Sequence, residues 1–168
     1  EVRDIGIVRY VDGQWTEPAI VYADNWEIAG CPVNGPVATA MDNQLAVVWY
    51  SAPNNIASVK VAFSFDAGAT FSTPIQVDDL KPLGRVDAVF LDKQTVAVSW
   101  MEMVDDHTEI RLKMISVSGE VSQPTTIANI SSERASGFPQ MVKYSDGLYF
   151  AYTATDSISM IKTVKVTL

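Results

Sequence analysis

Cysteine and histidine are almost missing from this sequence. The 168 residues include one cysteine, Cys31, and one histidine, His107. A single cysteine excludes a disulfide framework within the chain, and one residue of each type provides too few ligands for a zinc site. We therefore predict no metal site, and no motif indicates a cofactor.

Positive charge and long apolar runs are also scarce. Lysine and arginine number 12 against 20 aspartate and glutamate residues, which gives a formal net charge of −8. This balance excludes nucleic acid and anionic membrane surfaces as the main partners. No apolar run approaches the roughly 20 residues of a membrane span, so we expect no membrane insertion. Hydrophobic residues make up 48% of the chain, which is typical of a folded domain.

Apolar residues at helical spacing are absent as well, and the periodicity that is present is that of strands. Several short runs are rich in β-branched and aromatic residues and are bounded by Gly, Pro, Asn, Asp or Ser. They read LAVVWYS, VKVAFSF, TVAVSWM, IRLKMIS and LYFAYTA. These runs predict an all-β fold.

The chain repeats itself with a period of about 50 residues. One set of copies places a Gly, then Thr or Ser, then Pro, before an apolar strand: GQWTEPAIV (13–21), GATFSTPIQV (68–77) and GEVSQPTTI (119–127). A second set aligns the aromatic residues Trp49, Trp100 and Tyr152. A period of this length that holds four strands is typical of the blades of a β-propeller.

The repeat predicts a β-propeller of four-stranded antiparallel blades, with about three blades present in an incomplete ring. We expect a half blade at 1–27, full blades at 28–79 and 80–131, and a three-stranded blade at 132–168. Propellers usually need at least four blades to close. We therefore expect either a C-terminal fragment whose N-terminal half completes the ring, or a half-ring that self-associates.

The stretch SFDAGATF has the composition of a tight turn between two predicted strands. Its carboxylate can accept hydrogen bonds from turn amides, its glycine can adopt a positive φ, and its hydroxyls can satisfy local backbone groups. The pattern resembles the Asp-box, S-x-D-x-G-x-T-F/W, of the sialidase-like (BNR repeat) β-propellers. The consensus positions are Ser64, Asp66, Gly68, Thr70 and Phe71. In that family the box is a folding device away from the ligand face, so we interpret Asp66 as structural.

The resemblance implies a glycan or other small-molecule ligand and a possible exo-sialidase activity. Sialidases of this fold bind the substrate carboxylate with three arginines, and use a Tyr activated by a Glu as nucleophile and an Asp as acid/base. Their N-terminal arginine motif, of the F/Y-R-I-P type, is absent here, and only Arg85 and Arg134 fall at rim positions. The resemblance also favours a secreted or periplasmic location over a cytoplasmic one.

The ligand face of such a propeller is built by two groups of loops. We name the four strands of a blade A to D in chain order. The connections from strand D of one blade to strand A of the next are 23–35, 78–84 and 131–137. The loops from strand B to strand C within a blade are 50–58, 101–109 and 153–157. Residues that break the internal repeat here need a reason other than the fold. Arg85, Asp87 and Glu102 are such residues, and we predict Arg85 as an anion anchor with Asp87 and Glu102 as catalytic carboxylates. The alternatives are an Arg–Asp pair that stabilises the central channel and a solvated loop carboxylate at Glu102.

Three further residues are candidates for substrate binding. Trp26 and Glu27 lie in a long polar loop and suit a sugar-stacking ring with a hydrogen-bonding neighbour. A Trp that packs over the blade edge is the alternative. Arg134 is a possible anion contact, or an ordinary exposed arginine. Two functions follow: a glycan-directed hydrolase of sialidase-like type, or a non-catalytic propeller that binds a carbohydrate or protein partner.

Overall fold

The computed structural model describes residues 1–155 and 158–168, so the predicted rim loop 153–157 lies partly outside the described residues. The chain is all-β, as predicted, and its antiparallel sheets do not close into a ring within the described ranges. Its only helical elements there are two short 3-10 turns, Pro53–Asn55 and Arg134–Ser136. None of the helical elements among the described residues is long and apolar enough to cross a membrane.

Three sheets follow one another along the chain, each with its strands in sequence order. Sheet 1 contains β5 (Val37–Met41), β6 (Gln44–Ser51), β7 (Ser58–Ser64) and β8 (Ile75–Gln76). Sheet 2 contains β9 (Lys81–Asp92), β10 (Thr95–Val104), β11 (His107–Ser116) and β12 (Thr125–Ile130). Sheet 3 contains β13 (Gln140–Tyr144), β14 (Gly147–Thr155) and β15 (Ser159–Thr167).

Two short ribbons precede these sheets. Strand β1 (Ile5–Ile7) pairs with β4 (Ala19–Tyr22), and β2 (Tyr10–Val11) pairs with β3 (Gln14–Trp15). The architecture is that of a partial propeller made of consecutive antiparallel sheets. The sheets lie within the blades proposed from the repeat, whose boundaries stay predictions.

The core lies between consecutive sheets, because central strands such as β6 and β10 bury both of their faces. On β6, Ala46 and Val48 pack against sheet 2 while Val47 and Trp49 pack against the N-terminal strands. The two sets alternate along the strand, as the side-chain period of two requires. A third cluster between sheets 2 and 3 includes Ala97, Ile110, Leu112, Leu148 and Phe150.

The repeated Thr or Ser before each Pro has one structural role in all three copies. Its hydroxyl oxygen accepts a hydrogen bond from the backbone N–H of a residue that precedes it by seven to nine positions, and its own N–H donates to the carbonyl of that same residue. The pairs are Thr16 with Arg9, Ser72 with Phe63 and Ser122 with Met114, at distances of 2.7–3.0 Å. These two hydrogen bonds to the backbone fix the connection that leads into the fourth strand.

The turn SFDAGATF folds as its composition predicts. The Asp66 carboxylate accepts hydrogen bonds from the Thr70 N–H at 2.9 Å and the Thr70 hydroxyl at 2.7 Å. These bonds, together with one from the Ser64 hydroxyl at 2.8 Å, lower the pKa of Asp66 to about 2. Gly68 has a φ of +79°, and Phe71 packs against the cluster of Val47 and Trp49. Asp66 therefore holds the turn together.

Candidate functional site

Two of the predicted rim loops meet at a polar cavity, which we call the rim cavity. One is the connection that follows β4, and the other is the loop between β6 and β7. The cavity measures about 520 Å³ and is lined by Asp24, Asn25, Glu27, Pro53, Asn54 and Asn55. A D-to-A connection and a B-to-C loop of the predicted ligand face thus form one concave surface.

The two asparagines of the rim cavity are presented by a tight 3-10 turn. Both have left-handed backbones, with φ of +54° at Asn54 and +62° at Asn55, a conformation that asparagine tolerates better than most residues. The turn is closed by hydrogen bonds from the Asn55 N–H to the Ala52 carbonyl at 3.2 Å and from the Ile56 N–H to the Pro53 carbonyl at 3.0 Å. Both side-chain amides are exposed.

Asp24 forms the buried wall of the rim cavity. Its side chain is 3% exposed and pairs with the Lys60 ammonium, while the Trp49 indole N–H donates to it at 2.7 Å. Burial alone would raise the pKa of Asp24, but the hydrogen bonds from Lys60 and Trp49 outweigh it and the pKa is lowered. Asp24 is therefore an ionised carboxylate whose charge is matched by Lys60.

Glu27 and its neighbour Trp26 have opposite environments. Glu27 is exposed, and its side chain makes no ion pair or hydrogen bond within the described part of the chain. Trp26 is only 9% exposed and packs edge-to-face on Tyr50, with ring centroids 5.7 Å apart. The expectation of Trp26 as an exposed stacking platform is therefore wrong, because the ring covers the end of β6 instead.

Arg85 is anchored by protein oxygens rather than open to a ligand. Its guanidinium donates to the Ser136 hydroxyl at 2.5 Å and to the carbonyls of Ser132, Glu133 and Gly137 at 3.0–3.3 Å. Partial burial lowers the pKa of Arg85. This side chain ties β9 to the connection between sheets 2 and 3, so it does not fit the predicted role of anion anchor.

A backbone bulge aims Arg85 at this connection. Gly84 and Arg85 have φ values of +79° and +53°, and the pairing of β9 with β10 shifts register at this point. The Asn34 side chain spans the bulge, because its amide donates to the Leu83 carbonyl at 3.0 Å and its oxygen accepts from the Arg85 N–H at 2.9 Å. The connection before sheet 1 and the connection after sheet 2 are thus linked through Asn34 and Arg85.

Asp87 bridges the inner strands of two sheets. Its carboxylate accepts from the Met141 N–H of β13 at 2.5 Å and from the Ala88 N–H at 2.8 Å. Burial raises the pKa of Asp87, and these two hydrogen bonds only partly oppose the shift. Asp87 remains partly exposed, so of the two predicted carboxylates it is the one that solvent can reach.

Glu102 is completely buried. It lies within β10, which extends to Val104, and one carboxylate oxygen accepts from the Asp79 and Leu80 N–H groups at 3.2 and 2.9 Å. Its other oxygen lies 3.8 Å from the Arg111 Nε, and neither of these two atoms has a hydrogen-bond partner among the described residues. The interpretation of Glu102 as a solvated loop residue is wrong. Its placement also does not fit the predicted catalytic role.

Arg134 lies on the 3-10 turn before sheet 3 and is exposed. It does not line the rim cavity. No group of three or more His, Cys, Asp or Glu side chains in residues 1–155 and 158–168 is arranged to hold a metal ion. The structure therefore brings Glu27 to the rim cavity but leaves Arg85, Asp87, Glu102 and Arg134 outside it.

Asp24, Asn54 and Asn55 were not among the residues predicted for the site from the sequence. Asp24 could have been recognised as a carboxylate that directly follows an apolar strand at a sheet junction. The Asn54–Asn55 pair follows a proline in a B-to-C loop, which is a turn signal. Nothing local, however, indicates that these two loops share a cavity.

No family model matches the chain. No curated protein matches it either. Among solved structures, the chain is similar to one described as Hadza microbial sialidase Hz136, with a TM-score of 0.60 and 17% sequence identity. The similarity covers 96% of this chain and 38% of that chain, so this chain spans well under half the length of that sialidase. At this identity the similarity shows a sialidase-like fold.

Proposed function

We propose that this chain is part of a sialidase-like β-propeller that binds a glycan at the rim cavity. The observation that carries the proposal is the meeting of two rim loops around a polar cavity of about 520 Å³. Ligand sites in proteins are concave and hold a few convergent polar groups. Similarity to a structure described as a sialidase supports a glycan as the ligand class. We further propose that the turn at residues 64–71 is a structural Asp-box.

The lining of the rim cavity has the chemistry that sugar hydroxyls require. Each asparagine amide can donate and accept hydrogen bonds, and the Glu27 carboxylate can accept them. The backbones of Asn54 and Asn55 are fixed by the 3-10 turn. A fixed site loses less conformational entropy on binding than a mobile one.

A titration with an oligosaccharide tests this function. We expect N-acetylated glucosamine trisaccharide to shift the backbone amide NMR signals of residues 24–27 and 54–55. Asn54→Gly with Asn55→Gly keeps the left-handed backbone and removes both amides, so binding should weaken at least about tenfold if two hydrogen bonds are lost. Asp12→Gly is the matched control, because Asp12 also has a positive φ, of +49°, and lies outside the rim cavity. Unchanged affinity in the double variant would contradict the assignment.

Glycoside hydrolysis is a second candidate function, and the raised pKa of Asp87 favours it. A carboxyl group with a raised pKa stays protonated at a higher pH than usual and can act as a general acid. A two-carboxylate glycosidase requires a second carboxylate about 5–9.5 Å away across a cleft, and Glu102 does not supply it because it is completely buried. The test is release of a fluorescent aglycone from a sialoside by the wild type and by Asp87→Asn. Equal release by both proteins would exclude Asp87 as the acid.

A further inference from the structure

The rim cavity has an acidic lining without a free cation. Asp24 and Glu27 are its charged residues, and no lysine, arginine or histidine among residues 1–155 and 158–168 lines it. The nearest ammonium identified at its wall is that of Lys60, which is paired with the Asp24 carboxylate. The cavity therefore carries the uncompensated negative charge of Glu27.

The arginines that could hold an anionic sugar belong to other parts of the rim. The Arg85 guanidinium is bound by the Ser136 hydroxyl and by three carbonyls. Arg134 lies on the connection before sheet 3 and does not line the cavity. A sugar carboxylate placed in the rim cavity would face Glu27 with no guanidinium opposite it. Like charges at close range disfavour binding.

We propose that the rim cavity prefers an amino sugar, whose ammonium group pairs with Glu27, and discriminates against acidic sugars. This inference rests on the proposed glycan-binding function. The Glu27 carboxylate accepts from the ammonium, while the amides of Asn25, Asn54 and Asn55 bind the ring hydroxyls. The net charge of −8 adds to the attraction for a cationic ligand.

Three trisaccharides of different charge test the preference: glucosamine trisaccharide, its N-acetylated form and sialyllactose. We measure dissociation constants by calorimetry at low ionic strength, and confirm the site from the NMR signals of residues 24–27 and 54–55. Two opposite unit charges about 4 Å apart in water attract each other by about 1 kcal/mol. We therefore expect the cationic sugar to bind at least about fivefold more tightly than the neutral one, and the acidic sugar to bind most weakly. The preference should shrink as salt is added.

Glu27→Gln removes the charge and keeps the side-chain shape, so the ratio of the dissociation constants of the neutral and the cationic sugar should fall to about one. Glu17→Gln is the control, since Glu17 is also exposed and lies outside the cavity. Equal or tighter binding of sialyllactose at these residues would overturn the inference but leave glycan binding intact. Absence of binding by all three sugars would instead overturn the proposed function.

Discussion

The indole N–H of Trp49 donates a 2.7 Å hydrogen bond to the Asp24 carboxylate, which joins the second strand of sheet 1 to the connection that precedes it. Lys60, directly opposite Trp49 on the neighbouring strand, pairs with the same carboxylate. The three side chains therefore fix the wall of the rim cavity to the core of the sheet. Stability of the fold and shape of the cavity depend on the same contacts.

Lys60→Met should destabilise the protein by about 1–3 kcal/mol, because it leaves a nearly buried carboxylate without its cation. The free energy of unfolding can be measured by urea denaturation. In an Asp24→Asn background the same substitution should cost clearly less, since no charge remains to be matched. Lys93→Met is the control: Lys93 pairs with Asp42, both side chains are about two-thirds exposed, and we expect little change. An equal loss in both backgrounds would contradict the role of the ion pair.

Asp66→Ala should lower the melting temperature at neutral pH and leave glycan affinity unchanged, because Asp66 closes a turn outside the rim cavity. The effect has a defined pH dependence. The folded pKa is about 2 and the ordinary value is 3.8, so the stabilisation is fully present above pH 3.8 and is lost as the pH falls through about 2. The difference in melting temperature between wild type and variant should narrow over this range. A constant difference would exclude the carboxylate charge as its origin.

Glu102→Ala should destabilise the protein by about 3 kcal/mol or more, since it leaves two backbone N–H groups unsatisfied and removes the carboxylate oxygen that faces the Arg111 Nε at 3.8 Å. Glu102→Gln retains an acceptor for the Asp79 and Leu80 N–H groups and should cost less. Chemical denaturation of both variants gives the comparison. Wild-type stability in Glu102→Ala would mean that the carboxylate is not a structural group.

Arg85→Lys should loosen the connection between sheets 2 and 3, because a single ammonium cannot reproduce the contacts of the guanidinium fork. The amides of Ser136 and Gly137 close the 3-10 turn in this connection. We expect their hydrogen exchange to accelerate while the strand amides of sheet 1 keep their protection. Identical hydrogen-exchange rates of the Ser136 and Gly137 amides in wild type and variant would show that Arg85 does not hold this segment.

The sheets could be predicted from the sequence because the side chains along a strand alternate between its two faces, which is a local pattern. The apolar residues of β6 and the repeat of Trp49, Trp100 and Tyr152 can be recognised without knowledge of distant contacts. The Asp66 turn is equally local, since the side-chain hydrogen bonds among Ser64, Asp66, Gly68 and Thr70 span four residues or fewer. Short-range geometry is therefore what the amino-acid pattern encodes directly.

The environments of the candidate site residues depend on partners that are remote in sequence. The Arg85 side chain contacts residues 47–52 positions away, and Glu102 accepts from amides 22–23 positions away. Trp26 is buried by Tyr50, which ends a strand in the next sheet. Whether each of these side chains faces a ligand or the protein is decided by how the sheets pack. The sequence pattern carries no direct signal for that packing.

Each junction between consecutive sheets is formed by an apolar cluster, and hydrophobic contact alone is non-directional, so it specifies their order weakly. The junctions differ in their polar partners. Asp24 meets Trp49 and Lys60 at the first, Asp79 meets Lys113 at 2.6 Å at the second, and Asp87 meets the Met141 N–H at the third. At the first and third junctions, where the carboxylate is at least partly buried, a wrongly docked sheet would leave it without its donor, at a cost of about 1–3 kcal/mol. These carboxylates thus disfavour incorrect docking of one sheet on another. Misassembly of this kind is a characteristic failure of repeat proteins.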